Sequence, residues 1–233
     1  MGLFDAFLGK RLLWVRSTEV VGLDTAMRIP GQLMERLSAD KWRDVLHTLI
    51  DESASAGVGL IVLLVVGLRL GRRQLMRMLA DSGKNVGNLL RDHLGDTALA
   101  LLIVVLLALP WPLLLFVAGR LLNTSEEAAE FTKVVGEVLG VVAPLLFQLM
   151  VLRLLVAPGS VAAVHFDWRE KGLERLHADL GWFTPLLVST AFVTVLVILS
   201  SDQSWGSGLG RAAFLCVMVL FSTFFYRLSV PNS

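Results

Sequence analysis

Residues 168–187 read WREKGLERLHADLGWFTPLL. In the first half, Trp168, Leu173, Leu176, Leu180 and Phe183 gather toward one helical face, and Arg169, Glu170, Glu174, Arg175 and His177 lie mostly away from it. Lys171 with Glu174, and Arg175 with Asp179, have the spacing of helix ion pairs, worth about 0.2–0.5 kcal/mol each. At Gly181-Trp182 the charges stop and an apolar run begins that continues to Ser200. An indole at such a junction is favoured at the headgroup level. The stretch therefore predicts a charged amphipathic helix, lying in the membrane interface or packed under the bundle, then an anchor and the start of a membrane span.

The rest of the chain agrees. Hydrophobic residues make up 55% of the 233, and the mean hydropathy is +0.69. A soluble domain has roughly 45–50% apolar residues even with glycine counted. The excess lies in five runs, at about 53–70, 97–118, 133–158, 182–200 and 210–227. Crossing a hydrocarbon core about 30 Å thick takes about 20 helical residues. The predicted fold class is an all-α integral membrane protein with five transmembrane helices, plus amphipathic N-terminal and cytoplasmic interfacial helices.

Two regions follow: an amphipathic helical segment over 1–52 and the five-span region over 53–230. In the first, Phe4, Phe7, Leu8, Leu12 and Val15 predict one helix, and Pro30-Gly31 punctuates the chain. Leu33, Met34, Leu37, Trp42, Leu46, Leu49 and Ile50 form a second apolar stripe, with Ser38 or Asp40 as a cap. The segment reads either as a hairpin packed at the membrane surface or as the end of a larger helical domain. Within the spans, Pro110 and Pro112 must kink or end the second helix, because each removes a backbone donor and clashes one turn back. Pro144 stands in the third. Gly136 and Gly140 have the spacing that lets helices approach closely.

Orientation follows from the basic residues. Arg69, Arg72, Arg73 and Arg77, with Lys84 and Arg91, crowd the loop after the first span, and Arg153, Arg169, Lys171 and Arg175 the loop after the third. The opposite loops hold Arg120, Lys133 and Arg211. The positive-inside rule places 71–96 and 158–181 in the cytoplasm, with the N-terminus outside and the C-terminus inside. Arg69, Arg72, Arg73 and Arg77 are then a candidate basic anchor. Trp168, Arg169, Leu173, Arg175, Leu180 and Trp182 are a candidate lever at the membrane interface. Asp5, Lys10 and Arg11 interrupt the first apolar cluster, so it is no signal peptide, and a translocated N-terminus calls for a segment upstream.

Several function classes are excluded. A formal net charge of +1, with no basic block interleaved with aromatics, gives no case for nucleic acid. Cys216 is the single cysteine, so no disulfide forms within the chain, and no Cys/His set suits zinc. The four histidines are not at ligand spacing, and GSGLG at 206–210 is a turn between helices. No catalytic, cofactor-binding or metal residues are assigned, and an enzyme is not expected. Spans one, four and five are almost free of the ionisable positions that a transporter places near the midplane.

ERLHADLGWFTPLLV, followed one hairpin later by GLGRAAFLCVMVLFSTFFYRLSVP, resembles the peripheral membrane helices of large mechanosensitive channels of the MscS superfamily, the MscK type. KRLLWVRSTEVVGLD with SADKWRDVL resembles that family's junction between a periplasmic helical domain and the first following span. VAAVHFDWRE resembles a cytoplasmic loop between two spans. The matches are spread over residues 10–231. The resemblance implies a bacterial inner-membrane channel opened by bilayer tension, a homo-oligomer with peripheral helices around a central pore. It also implies a Gly/Ala-rich pore helix and a cytoplasmic vestibule downstream, which this sequence does not contain. The expected role is the tension-sensing peripheral region, with the lipid bilayer and a channel pore domain as partners. The alternative is a stand-alone membrane scaffold or accessory subunit.

Overall fold

The computed structural model describes residues 38–82, 94–158, 160–162, 170–199 and 208–229. Trp168, Arg169 and the helix expected near residues 4–15 lie outside the described residues. The described residues form eight helices and no strand: α1 (Ala39–Glu52), α2 (Ala56–Leu70), α3 (Arg72–Ser82), α4 (Leu94–Ala108), α5 (Pro110–Thr124), α6 (Glu130–Leu155), α7 (Glu170–Leu199) and α8 (Gly208–Ser229). The all-α membrane class expected from hydropathy is the one observed.

Three helices, α6, α7 and α8, are long and apolar enough to cross a membrane. The number rises to five if each of two bent pairs counts as one span. One pair is α1 with α2, bent by 95°; the other is α4 with α5, bent by 52°. The second bend falls where Pro110 and Pro112 open α5. Proline is tolerated there because first-turn N–H groups lack intrahelical partners in any case. Leu109 N still donates to Val105 O and Leu113 N to Leu109 O, so the backbone turns without losing its ladder on either side. Pro144 lies inside α6 and Pro185 inside α7.

α7 differs from the expected arrangement. It runs unbroken for 30 residues through Gly181 and Trp182. At 1.5 Å per residue it is about 45 Å long, roughly three turns more than a 30 Å core needs. The charged segment thus continues the span instead of turning at Gly181-Trp182. A lone glycine costs a helix only about 1 kcal/mol relative to alanine, too little to break one that is packed on both sides.

α6 is the central post. α5 lies against its N-terminal half and α4 against its C-terminal end, α7 runs along another face, and α8 packs on α7. Burial divides into three clusters. One joins α6, α7 and α8 through Leu149, Leu173, Leu180, Phe183 and Phe224. A second joins α1, α5, α6 and α7 through Val45, Leu122, Val138 and Leu196. The third, around Leu79, Ile103 and Val104, holds the α3–α4 pair to the end of α6. Trp42 fixes α1 at its end of the bundle, 5.8 Å edge-on from Phe131 and 6.4 Å from Phe192. Little else is enclosed: 22%, 28% and 11% of the apolar windows of α6, α7 and α8 are buried inside the protein. α8 is the most exposed of the three, with Leu215, Val219, Phe225 and Tyr226 turned outward.

Candidate functional site

Two local arrangements govern how these helices are joined. The first is a glycine crossing. A Cβ added to Gly119 of α5 would stand 2.8 Å from Gly136 O and 3.1 Å from Gly140 N. One added to Gly136 would stand 2.8 Å from Asn123 Oδ1 and 2.9 Å from Gly119 O. Only hydrogen side chains permit this approach of α5 to α6. Gly140 lends its backbone to the crossing, but its own Cβ direction is open.

The second is a clasp made by the charged turns of α7. Residues 175 and 179 are one turn apart on one face, and 177 points to the opposite side. On the first face, Arg175 donates from Nη2 to Arg227 O in the last turn of α8. Asp179 is buried, its side chain only 4% exposed, and its Oδ1 accepts from Arg227 Nε and from Trp182 Nε1, both at 3.0 Å. The Arg227 guanidinium lies 5.5 Å from the centre of the Trp182 ring. On the opposite face, His177 Nδ1 lies 3.0 Å from Arg153 O in the last turn of α6, with the imidazole as donor. The last carbonyls of a helix have no intrahelical partner. One segment of α7 therefore caps the C-terminal ends of both its neighbours. Below the polar groups, Phe183 stacks on Phe224 at 4.3 Å and meets Phe221 edge-on at 5.3 Å.

Arg69, Arg72, Arg153, Arg175 and Arg227 collect at one end of the bundle, around the clasp. A cleft of about 620 Å3 at the other is lined by Asp44, Asp51, Glu52, Glu126 and Glu127, with His47. Among the described residues no group of His, Cys, Asp and Glu is placed to hold a metal ion. At the basic end, a smaller cavity of about 260 Å3 opens between α2, α5, α6 and α7.

The candidate lever residues are placed as follows. Leu173 and Leu180 are buried, 3% and 1% exposed, so the apolar stripe of α7 faces protein and not lipid. Trp182 is half-buried and Arg175 reaches α8. In the basic group, Arg69 lies 4.5 Å over the Trp111 ring, and with Arg72 it lines the smaller cavity. Arg73 and Arg77 are exposed on α3. Sequence reading missed Gly119, Asn123 and the Asp179–Arg227 pair. The first two had a faint signal, a glycine and an amide four residues apart in an otherwise bulky helix. The ion pair joins residues 48 apart, and no local spacing announces it.

A family model described as mechanosensitive ion channel inner membrane domain 1 matches residues 55–233. No curated protein and no solved structure matches the chain.

Proposed function

The chain belongs to the mechanosensitive ion channel inner membrane domain family, and on that premise we propose that it forms the peripheral, tension-sensing helices of a large channel of the MscK type. The family match over most of the chain carries this reading. It makes the chain a membrane region of a mechanosensitive channel and supports an ion-channel role in a lipid bilayer over an enzymatic one. The outward apolar face of α8, with Leu215, Val219, Phe225 and Tyr226 exposed, supports the finer assignment, because a helix that presents apolar surface to lipid can respond to its lateral tension. In this reading α7 is the lever, working through the clasp on α6 and α8, and the conduction path is formed by a pore domain elsewhere in a homo-oligomer. The N-terminal segment 1–52 lies in the periplasm, the basic end faces the cytoplasm, and the membrane is the bacterial inner membrane.

The test is electrical. In patches carrying the complete gene product, the chain with its pore domain is expected to give tension-activated current, and serine at Leu173 and Leu180 is expected to move the opening threshold. An unchanged threshold, with the protein present in the membrane, overturns the lever. A native gene with no pore-forming partner would favour an accessory scaffold instead.

Topology has its own check. With Cys216 replaced, a cysteine at Gly172, where added side-chain atoms meet open space, is expected to be labelled only from the cytoplasm. One at exposed Glu127 is expected to be labelled only from outside. The reverse pattern overturns the orientation.

A further inference from the structure

The cavity at the basic end has a composition that the packing of the helices does not explain. Its walls carry three guanidinium groups, Arg69 and Arg72 from the end of α2 and the start of α3, and Arg153 from the last turn of α6. Among the described residues, none of the three has a carboxylate within ion-pair distance. Arg69 and Arg72 are exposed and Arg153 is half-buried, so water screens their mutual repulsion in part, and an anion seated among them would still be attracted.

Thr184 gives an independent indication. Threonines in these helices normally return their hydroxyl to the preceding turn: Thr48 to Asp44 O, Thr124 to Arg120 O, Thr190 to Leu186 O, Thr194 to Thr190 O and Thr223 to Val219 O. Thr184 does not. Its Oγ1 is buried with no hydrogen-bond partner, the residue is 6% exposed, and it lines this cavity. A buried hydroxyl left unpaired costs about 1–3 kcal/mol, which a bound acceptor would recover.

The geometry points to a binding site for the phosphate of an anionic membrane lipid, held by Arg69, Arg72 and Arg153 with Thr184 as a neutral donor. Arginine suits phosphate because its planar fork donates two parallel hydrogen bonds, and basic pockets between membrane helices are where anionic headgroups settle. The volume is slightly under the roughly 300 Å3 at which small-molecule pockets begin. That holds a headgroup, not a whole lipid. The acyl chains have a ready path outside it, over the exposed Leu60, Leu63 and Leu64 of α2 and past the exposed ring of Trp111. The occupant would bridge α2, α5, α6 and α7 at the level of the clasp, since His177 also lines the cavity. This inference rests on the membrane placement of the helices and not on channel activity, so loss of current does not bear on it.

The test is lipid retention by the purified full chain, read by native mass spectrometry during titration with phosphatidylglycerol or phosphatidylcholine. One phosphatidylglycerol per chain is expected to be held at least about tenfold more tightly than phosphatidylcholine. Arg69→Gln with Arg153→Gln is expected to remove that preference, a loss of about tenfold or more, as deletion of charge-assisted hydrogen bonds implies. Arg43→Gln with Arg120→Gln, both exposed and outside the cavity, makes the same change in net charge and is expected to alter binding less than about threefold. Thr184→Val preserves shape and fold and is expected to weaken phosphatidylglycerol binding several-fold. Equal losses from the two arginine pairs would mean general surface attraction and overturn the site. So would equal retention of both lipids, no effect of Thr184→Val, or displacement of the lipid by equimolar inorganic phosphate, which would identify a site for the free anion.

Discussion

Gly119→Val is expected to unfold the α5–α6 pair at markedly lower denaturant than the parent chain. A single methyl at this position already stands 2.8 Å from Gly136 O and 3.1 Å from Gly140 N, both backbone atoms of the facing helix. Backbone cannot rotate away as a flexible side chain can, so the helices must separate. Their contact is the most extensive between any two described helices, and it includes Leu122, Val135 and Val138, all nearly fully buried. Overpacking a close-packed site costs about 1–3 kcal/mol, and occasionally more; a branched side chain against backbone belongs at the upper end. Gly140→Ala supplies the internal comparison. Nothing lies within 4 Å of its added Cβ, so the change should be neutral, or stabilising by up to about 1 kcal/mol through helix propensity. The measurement is reversible denaturation of both variants in the same lipid or detergent. Equal midpoints would show that the crossing is not close-packed.

The contrast between these glycines marks what the sequence does and does not disclose. Gly136 and Gly140 stand out by their four-residue spacing, but only one of them needs to be glycine for its own sake, and the partner of both is Gly119 on another helix. Spacing identifies a face that permits close approach; it does not identify what approaches. The Pro110/Pro112 bend was legible because its cause is local, two missing donors at the start of a helix. The long apolar helices α6, α7 and α8 were legible because the bilayer sets their length. The course of α7 was not, because a glycine followed by a tryptophan has the same composition whether the helix turns there or continues, and continuation depends on α6 and α8 lying on either side. Lipid-facing and protein-facing positions are both Leu and Val in such helices, so the periodic signal that sorts inside from outside in a soluble protein is weak. Val65 alone is buried among the consecutive apolar residues Leu60–Val66 of α2 that are otherwise half-buried or exposed, and nothing in that run distinguishes it.

The same reasoning explains why Asp179 reads as a surface residue. Its spacing from Arg175 suggests an exposed helix pair, worth a few tenths of a kcal/mol. Tertiary packing buries the carboxylate and brings it a partner from α8, and that changes the size of the effect. Arg227→Gln is expected to destabilise the chain by about 2 kcal/mol, because it leaves the buried carboxylate without its counter-charge. The figure is placed below the ~3–5 kcal/mol of a fully buried pair because the Arg227 side chain is 56% exposed and water retains access to it. Trp182 Nε1 still donates to Oδ1 after the change, but Oδ2 has no partner in the parent structure and gains none. Asp179→Asn removes the charge that makes the loss costly. The double variant is therefore expected to be more stable than the sum of the two single changes predicts, with a coupling of at least about 1 kcal/mol in a double-mutant cycle. Additivity within about 0.5 kcal/mol would show that Arg227 acts through its stem and its packing on Trp182, not through the carboxylate. The cycle also separates the clasp from the greasy contacts beneath it. Phe183 and Phe224 hold α7 to α8 whether or not the ion pair is present, whereas the polar groups fix which turn of α7 meets the end of α8. A one-turn slip of α7 would preserve most of the apolar burial but strand Asp179, and that penalty sets the register in which α7 can transmit force to its neighbours.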